Sequence, residues 1–426
     1  MSSPDTNSLA AADLAWLHVQ TPNNLSVSTV VLTFDRPIDV DCLKGRIEDQ
    51  LMAFARFRQR VEPSRIPLAR PTWHEPDDFA LSDHLIIVEP GSPDAPASLE
   101  GLVGDLLGRP LDETRPLWQL HVITEIDGKS AMVARVHQSV ADGTVVPYLA
   151  LQLTDADPSS ATDLIGLEPW LPTAQLLERA QTNTAHTRML CELIASRADT
   201  ANPFRAPLTT AKVAAWSAPV SLTPLRDHAS QLDVSIAQVL LAAVAGGLRS
   251  ELHGRDTPVE NTRLRALVPI NLRSTGDLPL GTRMAIARLE LPLAPTSAAA
   301  RLEATGQEFE RLRLSPESLT VLGTVPRRGI SMSEIEERAL RLLGNKATAM
   351  IGLHSGPQST ARLCSQPITG LMWWPALPGD LPLAVSVVAY GSAVSFGVAG
   401  EQSVITDARG LVDRISASLD RIVEPG

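Results

Sequence analysis

The chain has 426 residues, enough for two hydrophobic cores, since a single core stops growing at about 250–300 residues. Its formal net charge of −11 argues against a nucleic-acid-binding protein, which needs a basic face, and removes the simplest electrostatic attraction to anionic lipid. No run approaches about 18 apolar residues and the N-terminus lacks a basic signal-peptide start, so we expect a soluble, cytoplasmic protein with at most peripheral membrane contact.

The three cysteines, Cys42, Cys191 and Cys364, lie far apart in sequence and show no CxxC spacing. This pattern predicts neither a metal site nor a disulfide framework. A reducing compartment fits such cysteine usage.

Helices and strands alternate in the first part of the chain. Hydrophobic spacing predicts helices at Ser8–Gln20, Asp39–Val61 and Ser98–Leu107, and strands at Ser26–Phe34, around Trp73, at Leu85–Val88 and at Trp118–Glu125. The three arginines Arg56, Arg58 and Arg60 are expected on the solvated face of the second helix rather than in an anion site. The turn at 126–129 joins the last of these strands to the next as a hairpin.

The segment Ala131–Gly143, AMVARVHQSVADG, is the candidate site. Its apolar start predicts a buried strand, and a polar His-Gln-Ser run at 137–139 follows at the strand end. Asp142–Gly143 supplies a turn, and Thr144–Thr154 predicts a helix with a threonine cap. Polar side chains at the end of a buried element are a common place for chemistry.

The second half repeats the mixture of strands and helices after a polar, proline-rich crossover. Helices are predicted at Thr173–Ser196, Ser235–Leu252, Ala298–Leu314, Ser333–Leu343 and Asp407–Ile422, and strands at Leu264–Leu272, Met284–Leu293, Leu383–Tyr390 and Ala393–Val398. We therefore expect an N-terminal lobe at 1–154, a crossover at 155–207 and a C-terminal lobe at 208–426. Both lobes are expected to be α/β sandwiches of similar build.

The motif HQSVADG resembles the HHxxxDG signature of the chloramphenicol acetyltransferase-like acyltransferases, and in particular the bacterial wax ester synthase/diacylglycerol acyltransferase family. Five further segments are similar to that family in order and spacing: Phe54–Val61, Arg115–Ile123, Val239–Arg249, Ala266–Arg273 and Val387–Gly400. The resemblance implies an α/β fold of two chloramphenicol acetyltransferase-like lobes that form a pseudo-dimer with a tunnel between them.

The chain departs from the family at the residue that matters most for catalysis. The resemblance implies a general-base histidine four residues before Asp142, but Gln138 stands there. His137 matches the first histidine of the family's pair, which is not the base, and neighbouring residues of a strand point to opposite faces. We expect Gln138 to face the tunnel and His137 to point away. Three interpretations remain: slow transfer by positioning alone, a base supplied from elsewhere, or no transfer.

The resemblance also implies roles for other residues of the site. Asp142 is expected to pair with Arg273 from the other lobe, and Gly143 to permit close backbone approach. Ser139, Ser365 and Gln366 are expected to contact substrate, although the sequence around Ser365 departs from the family's pattern. Ala237–Gln238 also replaces the family's Asn-Asp.

Other residues are open to two interpretations. His354 and His121 are either alternative general bases or ordinary buried histidines. His137 could act as the base only if the strand ends one residue differently. The pair Trp373–Trp374 either lines an acyl channel or, as we expect, packs in the core.

Two hypotheses of different class follow from the altered motif. In the first, the protein is an enzyme that moves an acyl group from coenzyme A or an acyl carrier protein to an alcohol or amine, and its substrate is lipid-like or polyketide-like. In a variant of this hypothesis, the tunnel catalyses a different reaction of secondary metabolism. In the second, it is a non-catalytic relative that binds lipid or acyl thioester or recruits a partner enzyme. Under both hypotheses we expect no bound cofactor or metal, and the acyl thioester is the possible co-substrate.

Overall fold

The computed structural model describes residues 7–64, 69–90, 97–126, 128–156, 191–273, 280–314, 319–322 and 332–423. Most of the predicted helix Thr173–Ser196 lies outside these residues. The chain forms two large sheets and a short two-stranded one within the described ranges. We call the six-stranded sheet with its helices the first lobe, and the eight-stranded sheet with its helices the second lobe.

The elements follow one another along the chain as strands and helices in mixed order. The strands are β1 (Val27–Phe34), β2 (Arg60–Glu62), β3 (Thr72–His74), β4 (Leu85–Val88), β5 (Trp118–Ile126), β6 (Lys129–His137), β7 (Lys212–Trp216), β8 (Val220–Ser221), β9 (Arg265–Asn271), β10 (Met284–Glu290), β11 (Leu319–Leu322), β12 (Ala349–Ser355), β13 (Arg362–Leu363), β14 (Gln366–Trp374), β15 (Leu383–Tyr390) and β16 (Ala393–Glu401). The α-helices are α1 (Ala11–Val19), α2 (Val40–Arg46), α3 (Leu99–Gly108), α4 (Val146–Gln152), α5 (Leu222–Gln231), α6 (Ile236–Gly254), α7 (Ala298–Leu314), α8 (Met332–Lys346) and α9 (Ala408–Val423).

The first lobe contains strands from both ends of the sequence. Its order is β13-β14-β1-β6-β5-β4, with β1 antiparallel to both β14 and β6. β13 and β14 lie within 208–426, so the C-terminal part of the chain is not one contiguous lobe as predicted. β14 crosses into the first sheet and gives β1 a second hydrogen-bonded neighbour. Its last two residues, Trp373 and Trp374, are each at most 2% exposed and lie between the lobes.

The second lobe is built around α6, which is strongly apolar and buried along most of its length. The sheet order is β11-β10-β9-β12-β15-β16-β7, and β8 pairs with β16. A Cβ at Gly247 would lie 2.4 Å from the Ile415 side chain, so glycine lets α6 and α9 approach closely. Within the described ranges no single helix is long and apolar enough to span a bilayer; only α5 and α6 taken together, as a pair bent by 104°, meet the same criteria.

The long helix predicted at Asp39–Val61 is wrong. α2 ends at Arg46, a π-helical turn covers Ile47–Leu51, and a 3₁₀ turn follows at Ala55–Phe57. The Phe57 ring packs edge-on against Trp118, with centroids 5.5 Å apart. Burying this ring turns the backbone out of the helix.

A disulfide joins Cys42, on α2, to Cys364, in the turn between β13 and β14. The prediction that the cysteines form no disulfide is therefore wrong. The two residues are 322 positions apart, and only the crossing of β14 into the first sheet brings them together. The spacing of cysteines along the sequence carries no information about a pair so far apart.

Replacing Cys42 by serine should lower the free energy of unfolding by about 2–4 kcal/mol, because the bond restricts the unfolded chain. Urea unfolding under oxidising conditions measures the change. The parent protein in dithiothreitol should match the variant, and Cys191→Ser, at the exposed free cysteine, is the control. Equal unfolding midpoints for parent and Cys42→Ser without reductant would contradict the prediction.

Candidate functional site

Gln138 and His137 leave the end of β6 on opposite faces of the first sheet. The Gln138 side chain contacts Ser28 of β1 and reaches Met284 of β10, in the second lobe. His137 lies opposite Val27 in the β1–β6 register and shares the other face with it. Gln138 therefore contacts the second lobe at Met284, whereas the His137 ring lies on the opposite face of the sheet. We call the contact between residues 138–144 and 281–284 the seam.

The Gln138 amide is held by several hydrogen bonds. Its Oε1 accepts from the Gly143 N–H at 3.0 Å and from Ser28 Oγ at 3.3 Å, and its Nε2 donates to Met284 Sδ at 3.2 Å. A Cβ at Gly143 would lie 2.9 Å from Ser28 Oγ and 3.2 Å from Pro375 Cβ, so a larger residue here would have to displace both side chains. An amide can orient or donate to a substrate, but it cannot take up a proton at neutral pH.

His137 forms a local contact with Ser139, two residues farther along the chain. Its Nδ1 lies 2.7 Å from Ser139 Oγ and accepts the Ser139 N–H at 3.1 Å, which assigns the ring proton to Nε2. Burial lowers the pKa of His137 to about 3. A serine within hydrogen-bond distance of an imidazole resembles a nucleophile and its base. Both residues are buried, however, and the low pKa disfavours the imidazolium that such a step would form.

Asp142 and Arg273 form a buried ion pair across the seam. Arg273 Nη1 lies 2.9 Å from Asp142 Oδ2, and the two side chains are 1% and 0% exposed. The same Oδ2 accepts the Arg283 N–H at 2.7 Å, while Oδ1 accepts from the Thr144 N–H at 3.0 Å and from its hydroxyl at 2.5 Å. Arg273 also donates to the Gly281 carbonyl at 2.5 Å. The pair thus holds the end of the motif against the second lobe.

A second ion pair at the seam was missed by sequence reasoning. Arg56 Nη1 donates to Asp13 Oδ2 and to the Ser139 carbonyl, each at 2.7 Å, and its guanidinium lies over the Trp73 ring. The expectation that Arg56 is solvated is therefore wrong. Asp13 also accepts the Thr282 N–H at 2.7 Å. A single acid within the apolar helix α1 was the available signal, because a buried acid needs a partner.

Ser365 and Gln366 lie far from the seam. They occupy the β13–β14 turn, where the Ser365 carbonyl accepts from the Arg362 side chain. Through β14 and β1, this end of the sheet aligns with Ser130 of β6, seven residues from His137, which corresponds to roughly 23 Å. Ser365 and Gln366 are therefore not part of the Gln138 site, and their contact with substrate stays a prediction.

The alternative histidines are buried in other contacts. His354, on β12, packs between Tyr148 and Trp373 with ring centroids 5.3 and 5.7 Å away, and burial lowers its pKa to about 4. Burial, together with the nearby guanidinium groups of Arg135 and Arg109, lowers the pKa of His121 to about 3.

One further departure from the family's motifs, Gln238, has a structural role. Gln238 donates to the Leu302 carbonyl at 2.9 Å inside the second lobe. Within the described part of the chain, no group of three His, Cys, Asp or Glu side chains is placed to hold a metal ion.

The buried imidazoles of His121, His137 and His354 predict acid sensitivity. Their pKa values in the folded state, about 3 to 4, lie below the value of about 6.5 of an unfolded chain, so only the unfolded state takes up protons between these limits. Stability should therefore fall as the pH drops from about 6.5 towards 4, by up to about 1.4 kcal/mol per pH unit for each imidazole. Urea unfolding at several pH values measures the slope. His121→Gln removes one of these imidazoles and should reduce the slope by up to about 1.4 kcal/mol per pH unit. Equal slopes in parent and variant would refute the lowered pKa of His121.

Comparison with known proteins matches nearly the whole chain to one family. Residues 9–232 match the wax ester synthase/diacylglycerol acyltransferase catalytic domain, and residues 280–423 match the C-terminal domain of the same family. A probable diacylglycerol O-acyltransferase of Mycobacterium tuberculosis H37Rv, tgs1, is 23% identical over 98% of this chain and 96% of its own length.

Solved structures share the fold. The wax ester synthase/diacylglycerol acyltransferase of Marinobacter aquaeolei VT8 superposes with a TM-score of 0.69 at 19% identity, covering 98% of both chains. The first condensation domain of the calcium-dependent antibiotic synthetase has a TM-score of 0.63 at 14% identity, covering 98% of this chain and 96% of that one. The two-lobe fold is therefore that of the chloramphenicol acetyltransferase-like proteins, and the chain belongs to the wax ester synthase/diacylglycerol acyltransferase family.

Proposed function

We propose that this protein binds an acyl thioester in a passage along the seam and transfers the acyl group slowly, by positioning without a general base. One observation carries the proposal: the side chain that faces the second lobe at the end of β6 is the Gln138 amide. Its family relationship supports the acyl thioester as ligand. The pairs Asp142–Arg273 and Asp13–Arg56 support an assembled seam rather than a degraded one.

The Gln138 amide has a role to play in such a site. Among the described residues, the one acceptor of its Nε2 is the Met284 sulfur, which is a weak acceptor. A thioester carbonyl that enters the seam would replace this sulfur as the acceptor, and it would gain strength as negative charge develops on its oxygen. Gln138 is thus proposed to orient the carbonyl, not to activate the acceptor.

The absence of a general base at position 138 determines whether amines or alcohols react faster as acyl acceptors. An alcohol is a poor nucleophile until a base removes its proton, whereas the free-base form of an amine attacks first and loses its proton afterwards. Without a base at position 138, we expect amines to react faster than alcohols of the same size. The acyl–sulfur bond breaks, the acyl–nitrogen bond forms, and the proton leaves to the thiolate or to water.

A second candidate, a non-catalytic relative that binds acyl thioester or recruits a partner enzyme, is favoured by the bonds of Oε1. This atom accepts from Gly143 and Ser28, so glutamine itself stabilises the loop after β6. A residue fixed in this way has a structural reason to be present even where no transfer takes place.

Calorimetric titration with acyl-CoAs of several chain lengths, followed by mass spectrometry of mixtures with matched amines and alcohols, tests the proposal. We expect binding, and slow acylation of the amine in preference to the alcohol. His137→Ala should leave both unchanged, because that ring lies on the other face. Binding without any transfer would select the non-catalytic candidate; no binding of any acyl-CoA would overturn both.

A further inference from the structure

Three arginines come together on the outer helical layer of the second lobe. The helices α6, α7 and α9 cover the face of the eight-stranded sheet that carries Ala285, whereas Met284 of the seam lies on the opposite face. These helices contribute Arg249, Arg301 and Arg421 respectively, which we call the arginine cluster. The sheet therefore separates the arginine cluster from the seam.

Arg301 is the buried member of the cluster and is only 5% exposed. Its Nη1 donates to the Pro295 carbonyl at 3.1 Å, but its Nε is buried without a hydrogen-bond partner among the described residues. Arg249 Nε donates to the same Pro295 carbonyl at 3.3 Å. Because each guanidinium has five N–H donors, a single neutral oxygen shared by two of them leaves most of their donor capacity for a ligand or for water.

The close approach of α6 and α9 brings the third arginine to the same place. A Cβ at Gly246 of α6 would lie 3.0 Å from Arg301 Nε and closer still to Ser418 Oγ of α9. Arg249 lies one helical turn after Gly246, and Arg421 lies one turn after Ser418. Helical side chains lean toward the N-terminus of their own helix, so both arginines lean back toward Arg301.

The positive charge of the cluster is not offset by a neighbouring acid. Among the residues that the structure describes, no carboxylate lies within ion-pair distance of these three guanidinium groups. Burial, and after it the positive charges of Arg249 and Arg421, lower the pKa of Arg301. Arg301 also lies in the first turn of α7, which contains no acidic residue, and the helix dipole there favours an anion over a cation. A buried cation without a counter-charge is costly, so the cluster is suited to an anionic ligand.

We propose that the arginine cluster binds a phosphate group between the guanidinium groups of Arg249, Arg301 and Arg421. A phosphate carries up to two negative charges on one small group, and guanidinium N–H groups pair with its oxygens in parallel hydrogen bonds. A carboxylate would supply a single charge to three cations. The Arg421 side chain is exposed and that of Arg249 is half-buried, so a ligand reaches the cluster directly from solvent. The site does not depend on acyl transfer.

Calorimetric titration of the full chain with sodium phosphate, and with sodium acetate and sodium chloride at the same ionic strength, tests the site. We expect saturable binding of phosphate and no saturable binding of the two monovalent anions. The net charge of −11 disfavours phosphate elsewhere on the surface, so binding points to a local cluster of cations. Phosphate binding no tighter than acetate or chloride would overturn the proposal, because water and ordinary counter-ions would then satisfy the arginines.

Sedimentation with lipid vesicles distinguishes a soluble phosphate compound from a lipid headgroup. Vesicles of phosphatidylcholine alone are the control for vesicles that also contain phosphatidic acid, whose headgroup is a phosphate monoester. Binding to the phosphatidic acid vesicles that inorganic phosphate displaces would assign the site to a headgroup. Binding of inorganic phosphate without vesicle binding would assign it to a soluble phosphate compound, and either result supports a phosphate site.

Two variants assign the contacts. Arg421→Gln removes an exposed guanidinium, should leave the protein folded, and should weaken phosphate binding by about tenfold. Arg301→Gln should abolish binding, and urea unfolding without phosphate shows whether it remains folded. Arg313→Gln, near the other end of α7, removes the same charge and is the matched control; it should bind phosphate as the parent does. Unchanged binding by Arg421→Gln, or an equal loss in Arg313→Gln, would rule out this location, whatever the fate of Arg301→Gln.

Discussion

Replacing Gln138 by histidine should raise the rate of acyl transfer to an alcohol by about 10² to 10⁴-fold, the usual contribution of a positioned general base. The change puts a titratable ring at the residue that faces the second lobe, while Asp142–Arg273 and Gly143 hold the surrounding loop in place. The gain should be much smaller for amines, because they react without prior loss of a proton. Single-turnover assays with acyl-CoA and matched alcohol and amine acceptors measure both rates.

Two companion variants show whether a rate gain in Gln138→His comes from a general base or from a change in side-chain shape. Gln138→Asn alters the packing without adding a titratable group and should show no gain. In the double variant Gln138→His with His137→Ala, the gain should persist, because His137 lies on the other face of the sheet. If His137→Ala removes the gain, or if Gln138→His is as slow as the parent, position 138 does not supply the missing function.

The parts of the site that the sequence predicted are those encoded by local pattern. The apolar run before His137 predicts a buried strand, which the structure has as β6, and the period of two places Gln138 and His137 on opposite faces. Asp142 and Arg273 each follow a predicted strand, and the resemblance to a known family suggested that they pair. Asp142 follows β6 of the first lobe and Arg273 follows β9 of the second lobe, and the ends of these two strands meet at the seam.

The parts that escaped prediction depend on contacts between distant segments. β14 has no local feature that assigns it to the first sheet rather than the second, and the Cys42–Cys364 bond follows from its crossing. The position of Arg56 depends in the same way on Asp13, in a different helix.

Removing the charge of Asp142 should be among the most destabilising single changes at the seam. Asp142→Asn leaves Arg273 buried without a counter-charge, at a cost of about 3–5 kcal/mol in the free energy of unfolding. The amide adds a second penalty. Both carboxylate oxygens accept from donors, Arg283 N–H on one side and Thr144 on the other, so an NH₂ group meets a donor in either orientation. Urea unfolding gives the loss directly.

A double-mutant cycle shows whether the loss belongs to the pair. Arg273→Met alone leaves a buried carboxylate, whereas Asp142→Asn combined with Arg273→Met removes both charges and should cost clearly less than the sum of the single changes. Glu310→Gln is the control: its partner Arg313 is 37% exposed, and so solvated a pair should contribute at most about 0.5 kcal/mol. Additive losses at Asp142 and Arg273 would mean that the two side chains stabilise the seam independently, and the ion pair would no longer explain how the lobes are held together.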